Sequence, residues 1–204
     1  MKLFYQTHSP YARKVLVFAH ESRLVERLEV VHQETSPFKR NESVYAVNPL
    51  GQVPVLIGRK DEVLFDSLVI CDYLDNLHGG SRLIPLQGEE RSKALRLHAL
   101  GQGICDIGIR LRMEVDRRPL ELRYPAYADG QRFKLQQAFQ FIEDEVDLEG
   151  KVQIGHIGLA TALDWIVFRE LMDFSGQPRL MAWYQTFSHR GSMLATPYSG
   201  NTFD

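Results

Sequence analysis

The sequence has few cysteines and no marked excess of one charge. Cys71 and Cys105 are its two cysteines among 204 residues, and they form no CxxC pair. We therefore expect buried thiols in a reducing compartment and not a disulfide framework. The formal net charge of −2 gives none of the basic excess that accompanies nucleic-acid binding. Nucleic acid is accordingly not an expected partner.

Long hydrophobic runs are also missing. No apolar segment approaches the roughly 20 residues that a membrane-spanning helix needs, so we expect no membrane partner. The first residues pass directly into a strand-like segment, without the pattern of a secretory signal. Hydrophobic residues make up 44% and charged residues 25%, which is typical of a soluble globular protein. The composition therefore predicts a cytoplasmic chain, long enough for one large domain or two small ones.

Short apolar segments alternate with helical patterns in the first third of the chain. Strand-like composition is found in four segments, residues 2–5, 28–32, 53–57 and 63–65. Helical spacing runs from Pro10 to Glu21 and begins again at Asp66 and Ser67. The order βαβ followed by ββα predicts a small mixed sheet covered by helices, an α/β unit of thioredoxin-like size.

Everything beyond a Gly/Pro-rich connection has a helical pattern. We predict a first domain over residues 1–79, a linker over 80–88 and an all-helical domain over 89–204. Helices are expected over four segments, residues 89–117, 127–146, 154–168 and 179–187, with an irregular tail beyond residue 191. Gly101, Gly103 and Gly108 lie within the first of these helices, with no strand before them. They predict close helix packing and not a dinucleotide-binding loop.

The stretch from His8 to Lys14 lies between the first strand and the first helix. Ser9 followed by Pro10 marks a helix start, because the serine oxygen can accept from a free N–H group and proline has none to leave unpaired. The N-terminus of a helix favours an anion, and a thiolate is such an anion. Two interpretations follow. Ser9 is only a helix cap, or it also stabilises a bound thiolate.

Pro54 lies inside an apolar strand-like segment, where proline is normally excluded. It must therefore occupy a strand edge, a strand start or a bend. A cis Val53–Pro54 bond would leave the Val53 backbone open to pair with a peptide as a neighbouring strand would. An ordinary trans proline at a strand edge is the alternative, and the sequence leaves both open.

Three segments, in order and properly spaced, resemble the glutathione S-transferase family along nearly the whole chain. They are residues 9–15 (SPYARKV), 48–56 (NPLGQVPVL) and 64–74 (LFDSLVICDYL). The resemblance implies a thioredoxin-like N-terminal domain followed by an all-α C-terminal helical bundle, and a homodimer. The motif is similar to that of bacterial members that have a serine at the active position.

The resemblance implies glutathione as co-substrate and no metal ion. Glutaredoxin-type relatives have Cys-Pro-Tyr-Cys where residues 9–12 read Ser-Pro-Tyr-Ala, so dithiol–disulfide exchange at this motif is impossible. Ser9 would instead donate a hydrogen bond to the glutathione sulfur. A charge-assisted bond of about 1.5–3 kcal/mol is enough to make most of a thiol with a pKa of about 8.5 ionised at neutral pH. The thiolate would then attack a small apolar electrophile.

The resemblance also assigns binding roles to matching positions. The Val53 backbone would hold the cysteinyl part of glutathione, with Pro54 as the family's cis proline. Asp66 would face the ammonium group and Ser67 the carboxylate of the γ-glutamyl end. Gln52 stands near the glycyl carboxylate, where many relatives have a lysine or histidine. Because glutamine carries no charge, we expect weaker binding there.

Tyr11, Asp106 and Arg110 are the candidates for the second-substrate pocket. Asp106 and Arg110 match the helix face that lines the electrophile pocket or dimer cleft in relatives, and a surface ion pair at i,i+4 is the alternative. Tyr5 is an alternative thiolate donor, although its place inside a strand favours a role in the core. His8 is interpreted as a solvated or pocket-edge histidine.

Two other functions remain open. One is a glutathione-dependent isomerase or dehalogenase, although relatives of that type have a fuller serine/cysteine cluster. The other is a non-catalytic module that resembles glutathione transferases and binds a protein partner, which predicts a lost peptide site.

Two positions in the helical half depart from the family pattern. The helix over residues 154–168 should open with a Ser/Thr-x-x-Asp capping box, but the matching residues run from Gln153 to His156 and predict a poor box. Asp164 lies within this otherwise apolar helix. A buried carboxylate needs a partner, and Arg169 and His156 are the candidates.

Overall fold

The computed structural model describes residues 1–200 and divides into two compact units. Among the described residues, the first unit contains Met1–Ser92 together with residues 191–200, and the second contains Lys93–Arg190. This grouping differs from the predicted one, in which residues 89–204 formed a single helical domain. The difference arises because the residues after Gly191 bond to the first helix of the chain.

A mixed sheet forms the centre of the first unit. Its strands are β1 Lys2–Tyr5, β2 Glu29–His32, β3 Val55–Ile57 and β4 Val63–Leu64. Their spatial order is β2-β1-β3-β4, with β2 parallel to β1 and the other two pairs antiparallel. Each predicted strand is present, so the α/β fold class of this part is confirmed.

Helices cover the sheet and make up the second unit. They are α1 Pro10–Glu21, α2 Glu42–Tyr45, α3 Ser67–Asp75, α4 Gly88–Arg112, α5 Pro125–Glu145, α6 Ile154–Phe168, α7 Pro178–Ser188 and α8 Gly191–Leu194. A π-helical turn, Met113–Arg117, follows α4. The mostly helical second part is confirmed. The tail was predicted to be irregular, which is wrong for α8.

The first unit buries its core between β1, α1 and α3. Leu3 and Leu56 are paired across β1 and β3 and are fully buried, as are Val15 and Phe18 of α1 and Ile70 of α3. Val15 and Phe18 are three residues apart, which is the spacing that buries one face of a helix. On β1 and β3 consecutive residues are buried, so these strands are covered on both faces. The core holds the loops that join these elements in fixed positions.

Glycines bring α4 and α6 into close contact inside the second unit. A Cβ atom on Gly101 would lie 2.6 Å from the carbonyl carbon of Gly158, and one on Gly108 would lie 2.8 Å from Ile166 Cδ1. A Cβ on Gly103 would meet open space. Close packing is therefore confirmed for Gly101 and Gly108 and was wrong for Gly103, which lies on another face of the helix.

Helix α6 begins with a capping box after all. The Gln153 N–H donates to His156 Nδ1 at 3.1 Å, and the Gln153 side chain accepts from the third backbone N–H of the helix. Burial lowers the pKa of His156, which favours the neutral ring that this hydrogen bond requires. The expectation of a poor box was wrong because a neutral imidazole can replace the usual carboxylate as acceptor.

Asp164 receives a hydrogen bond from the Tyr184 hydroxyl of α7. Tyr184 was not among the partners that we predicted, because it lies 20 residues further along the chain. In the part of the chain that the structure describes, no helix combines the length and the apolar character needed to cross a bilayer.

Candidate functional site

The strand register brings three loops to one edge of the sheet. Phe4 pairs with Val55 and Leu56 with Leu64, both in antiparallel fashion. The residues after β1, the residues before β3 and the residues after β4 therefore lie at the same edge. These loops contain Ser9, Val53 and Asp66–Ser67, so residues far apart in sequence meet here.

The turn from Gln6 to Ser9 is tied to the rest of the unit at each end. The Ser9 N–H donates to the Gln6 carbonyl at 3.1 Å, and Gln6 Nε2 donates to the Thr35 carbonyl at 2.9 Å. His8 is buried, and its Nε2 lies 3.2 Å from Glu34 Oε1. The interpretation of His8 as solvated was therefore wrong, because the turn directs its ring towards a carboxylate of the neighbouring loop.

Ser9 caps α1 and keeps a proton to donate. Its Oγ accepts from the Ala12 N–H at 3.2 Å, Pro10 occupies the first helical position, and 8% of the Ser9 surface is exposed. A hydroxyl has two acceptor lone pairs and one O–H donor, so accepting one bond leaves the donor unused by the cap. The cap and the thiolate-stabilising interpretations are thus compatible in one geometry.

The Val53–Pro54 peptide bond is cis, which answers the question that the sequence left open. Neither the N–H nor the C=O group of Val53 bonds to another residue within the described part of the chain. Gln52 is exposed beside it, and its carbonyl accepts from Asn48 Nδ2 at 2.9 Å. Among the described residues, this loop therefore has two backbone groups without partners, which an extended peptide can bond.

Asp66 and Ser67 form the start of α3. Asp66 is exposed, and its Oδ1 accepts from the Leu68 N–H at 3.1 Å, which is an N-cap. Ser67 is 1% exposed, and its Oγ has no hydrogen-bond partner among the described residues. A buried hydroxyl without a partner is costly unless something else satisfies it. This end of α3 thus offers a polar group suited to an external anion.

Tyr5 lies in the hydrophobic core, as its strand position favoured. Its ring belongs to a buried cluster with Phe4, Val44, Val53 and Val55. Burial raises the pKa of the Tyr5 phenol above its ordinary value, and the nearby Arg13 charge opposes this shift only in part. The phenol is therefore uncharged at neutral pH.

The three second-substrate candidates are distributed over both units. Tyr11 is half-buried on α1, with the Lys14 Nζ 5.9 Å from the centre of its ring. Asp106 is half-buried and Arg110 exposed on α4. The two residues lie four positions apart on this helix, and an i,i+4 ion pair stays the alternative interpretation. Their role as pocket residues stays a prediction.

Comparison with known proteins decides the family. Residues 8–77 match the family described as Glutathione S-transferase, N-terminal domain. The crystal structure of a glutathione transferase family member from Pseudomonas fluorescens Pf-5, with bound glutathione, is 38% identical, with a TM-score of 0.92, over 98% of this chain and 99% of that one. The chain belongs to the glutathione S-transferase family.

Two further comparisons extend this result. A second structure of a Pseudomonas fluorescens Pf-5 family member contains S-(propanoic acid)-glutathione. It is 38% identical, with a TM-score of 0.89, over 98% of this chain and 100% of that one. The GST-like protein YibF of Escherichia coli K12, whose activity is uncharacterized, is 26% identical over 84% of each chain. In the present chain, the described residues contain no group of three or more His, Cys, Asp or Glu side chains that could hold a metal ion.

One set of contacts around the site was missed from the sequence. Residues 191–200, the terminal segment, bond to Thr7 and Arg13, which lie on either side of Ser9. Thr7 and Ser199 are 192 residues apart, so no local pattern indicates this pairing. Arg13 is 2% exposed, and a buried guanidinium needs partners, but this burial is seen only in the structure.

Proposed function

We propose that this protein binds glutathione along the sheet edge and stabilises its thiolate with Ser9 for attack on a small electrophile. The observation that carries the proposal is the order of groups along one edge. The Ser9 hydroxyl is complementary to the thiol. Within residues 1–200 the Val53 backbone and the Ser67 hydroxyl have no partner, and they are complementary to the cysteinyl peptide and to the γ-glutamyl carboxylate. The glutathione bound in the Pseudomonas relative supports the same choice of ligand.

Each end of the tripeptide has a proposed partner. The γ-glutamyl carboxylate accepts from Ser67 Oγ at the N-terminal end of α3, where the helix dipole favours an anion, and Asp66 attracts the ammonium group. The exposed Gln52 donates to the glycyl carboxylate without adding charge. The Val53 N–H and C=O pair with the cysteinyl residue between them, with Pro54 fixing the bend.

The proposed reaction transfers the glutathionyl group. Ser9 donates to the sulfur and lowers the pKa of the bound thiol, whose proton leaves to solvent. The thiolate forms a bond to an electrophilic carbon, and the leaving group departs with the electron pair of its bond, or an activated double bond takes up a proton instead. The protein supplies a lowered thiol pKa and the positioning of two reactants.

A short electrophile fits the comparison best. The S-(propanoic acid)-glutathione in the second Pseudomonas structure carries a three-carbon substituent on sulfur, so that protein accommodates a short S-alkyl group. We extend this to the present chain and assign Tyr11, Asp106 and Arg110 to contacts with the electrophile. Arg110 is exposed and cationic, and it suits an electrophile with an acidic group better than the fully apolar one that the sequence suggested.

We also propose that the protein is a homodimer, as the family resemblance implies. The chain mass is 23.5 kDa, so a dimer has a mass of 47 kDa. Sedimentation equilibrium measures this mass directly, and a single species of the chain mass would contradict the proposal.

The central experiment separates the catalytic effect of the Ser9 hydroxyl from its effect on helix capping. Ser9→Ala removes both, whereas Ser9→Gly removes the hydroxyl at a cost of only a few tenths of a kcal/mol in capping. Both variants should lose roughly 10–100-fold in kcat/KM with a chloronitrobenzene electrophile, and the apparent pKa of bound glutathione should rise. Tyr5→Phe is the matched control and should retain activity.

Retention on immobilised glutathione is the first measurement. A wild-type chain that is neither retained nor active would contradict the proposal and would favour the protein-partner module. A chain that is retained and active, with activity lost in Tyr5→Phe but kept in Ser9→Gly, would assign the thiolate to Tyr5 instead.

A further inference from the structure

The segment from Gly191 to Gly200 follows α1 from its end back to its beginning. At the C-terminal end of α1, Ser192 Oγ donates to Glu21 Oε1 at 2.6 Å. Further along, Arg13 Nη2 donates to the Met193 carbonyl at 3.2 Å. This terminal segment therefore lies along α1, the helix that Ser9 caps.

Arg13 is the main anchor of the terminal segment. Its Nε donates to Thr196 Oγ1 at 3.4 Å, and its guanidinium carbon lies 4.1 Å from the centre of the Tyr198 ring. Arg13 is 2% exposed, so these contacts are made away from water, where hydrogen bonds and cation–π contacts are strongest. The anchor directs the next residues of the segment towards the turn before α1.

The segment ends in a reciprocal pair of hydrogen bonds with Thr7. Thr7 Oγ1 donates to the Ser199 carbonyl at 2.8 Å, and the Ser199 N–H donates to the Thr7 carbonyl at 3.2 Å. Thr7 is the second residue of the Gln6–Ser9 turn, two positions before the proposed thiolate donor. The turn thus has a bond to the terminal segment in addition to its bonds to Thr35 and Glu34.

We infer that the terminal segment is a positioning element for Ser9, acting through Thr7. The Ser9 hydroxyl must point at a sulfur while its Oγ accepts from Ala12, and a hydrogen bond weakens steeply when its geometry drifts. Tying the turn to Ser199 restricts that drift. The inference rests on the proposed function for its catalytic consequence, but the ordering of the turn can be measured in the free protein.

Two independent changes disrupt the pairing of Thr7 with Ser199: one removes the side-chain hydrogen bond alone, and the other removes both hydrogen bonds. Thr7→Val is nearly isosteric and removes the hydroxyl, whereas Thr7→Ser retains it. A chain that stops after Tyr198 removes Ser199, and a chain that stops after Gly200 retains it, with the last four residues absent from both. The second member of each pair is the control for the first.

We expect Thr7→Val and the stop after Tyr198 to lower kcat/KM by roughly threefold to tenfold, as the loss of one or two hydrogen bonds implies. The pH profile of kcat/KM should move to higher pH, because a misplaced Ser9 stabilises the thiolate less. Both controls should behave as wild type. A lower melting temperature with an unchanged pH profile would overturn the inference, since it would show a purely structural contact.

Hydrogen–deuterium exchange separates this inference from the proposed function. In the free protein, the Ser9 and Ala12 amides should exchange severalfold faster in Thr7→Val and in the stop after Tyr198 than in their controls. If wild type does not bind glutathione but exchange changes as expected, the proposed function fails and the positioning role stands. Unchanged exchange in both variants would overturn the positioning role.

Discussion

The hydroxyl groups of Ser9 and Ser67 differ in the hydrogen bonds that they form within the described chain. Ser9 accepts a hydrogen bond from α1, while the buried Oγ of Ser67 has no partner in the described chain. A buried polar atom without a partner lowers stability, and this cost supports the proposal that Ser67 bonds to an external group. Asp66 next to it caps α3 and stays exposed.

Replacing Ser67 should separate binding from stability. Ser67→Ala removes an unsatisfied hydroxyl, so the melting temperature should stay equal or rise. Glutathione affinity should fall roughly tenfold or more, because a hydrogen bond to a carboxylate is worth about 1.5–3 kcal/mol. Isothermal titration calorimetry and thermal unfolding measure the two quantities. A fall in stability with unchanged affinity would contradict this reading of Ser67.

The neighbouring carboxylate can be tested in the same way. Asp66→Asn retains an oxygen that accepts from the Leu68 N–H, so α3 keeps its cap and the melting temperature should not change. The variant loses the charge that faces the ammonium group. Affinity for glutathione should therefore fall, while affinity for an analogue without that ammonium group should not. Equal losses for both ligands would exclude the proposed ammonium contact.

His156 should make stability depend on pH. Burial holds its pKa below the ordinary value of about 6.5, so the unfolded chain binds more protons between the two pKa values. The free energy of unfolding should therefore fall as the pH is lowered from about 6.5 through the depressed folded-state pKa. His156→Asp retains an acceptor for the Gln153 N–H and does not titrate in that window.

Urea unfolding of wild type and His156→Asp at several pH values between about 5 and 7.5 measures this difference. The wild-type curve should decline more steeply towards acid than that of the variant. Parallel curves would show that the histidine contributes nothing to the pH dependence.

Elements in the second unit approach one another through small residues. Helices α4 and α6 meet where Gly101 faces Gly158 and where Gly155 faces Leu97. A Cβ on Gly155 would lie 2.7 Å from Leu97 Cβ, so neither helix has space for a larger residue at these points. The second unit therefore depends on glycine at positions where helix propensity alone would favour alanine.

Two alanine substitutions on α4 should have opposite effects. Gly101→Ala forces a methyl group against the backbone of α6 and should cost about 1–3 kcal/mol in the free energy of unfolding. Gly103→Ala meets open space and should stabilise the protein by up to about 1 kcal/mol, because alanine favours the helix. Chemical denaturation measures both. Equal effects of the two variants would contradict the close packing.

Considered as a whole, the molecule carries its two thiols in different units, and both are buried. Cys71 is fully buried, and burial raises the pKa of its thiol to about 12. Cys105 is 4% exposed. The Cys71 thiol is therefore neutral at neutral pH, and burial shields both sulfurs from reagents in solvent, so both are poor nucleophiles.

A thiol reagent should therefore distinguish the folded chain from the unfolded one. Ellman's reagent should label neither cysteine in the native protein at neutral pH and should label both in denaturant. Any thiolate absorbance that appears when glutathione is added to the native protein then belongs to glutathione. Rapid labelling of the native chain would contradict the burial of the thiols.

The sequence alone determined the α/β-then-helical architecture, the start of α1 at Ser9 and Pro10, and the start of α3 at Asp66 and Ser67, because strand alternation, helix spacing and helix caps are local signals. Only the tertiary structure decided which distant groups meet. The Ser199 bond to Thr7 and the Tyr184 bond to Asp164 depend on how the chain returns over itself, and no local pattern records that path. The proposed thiolate site depends on both kinds of information: local sequence makes Ser9 the cap of α1, and the inferred positioning of Ser9 depends on long-range bonds to the terminal segment.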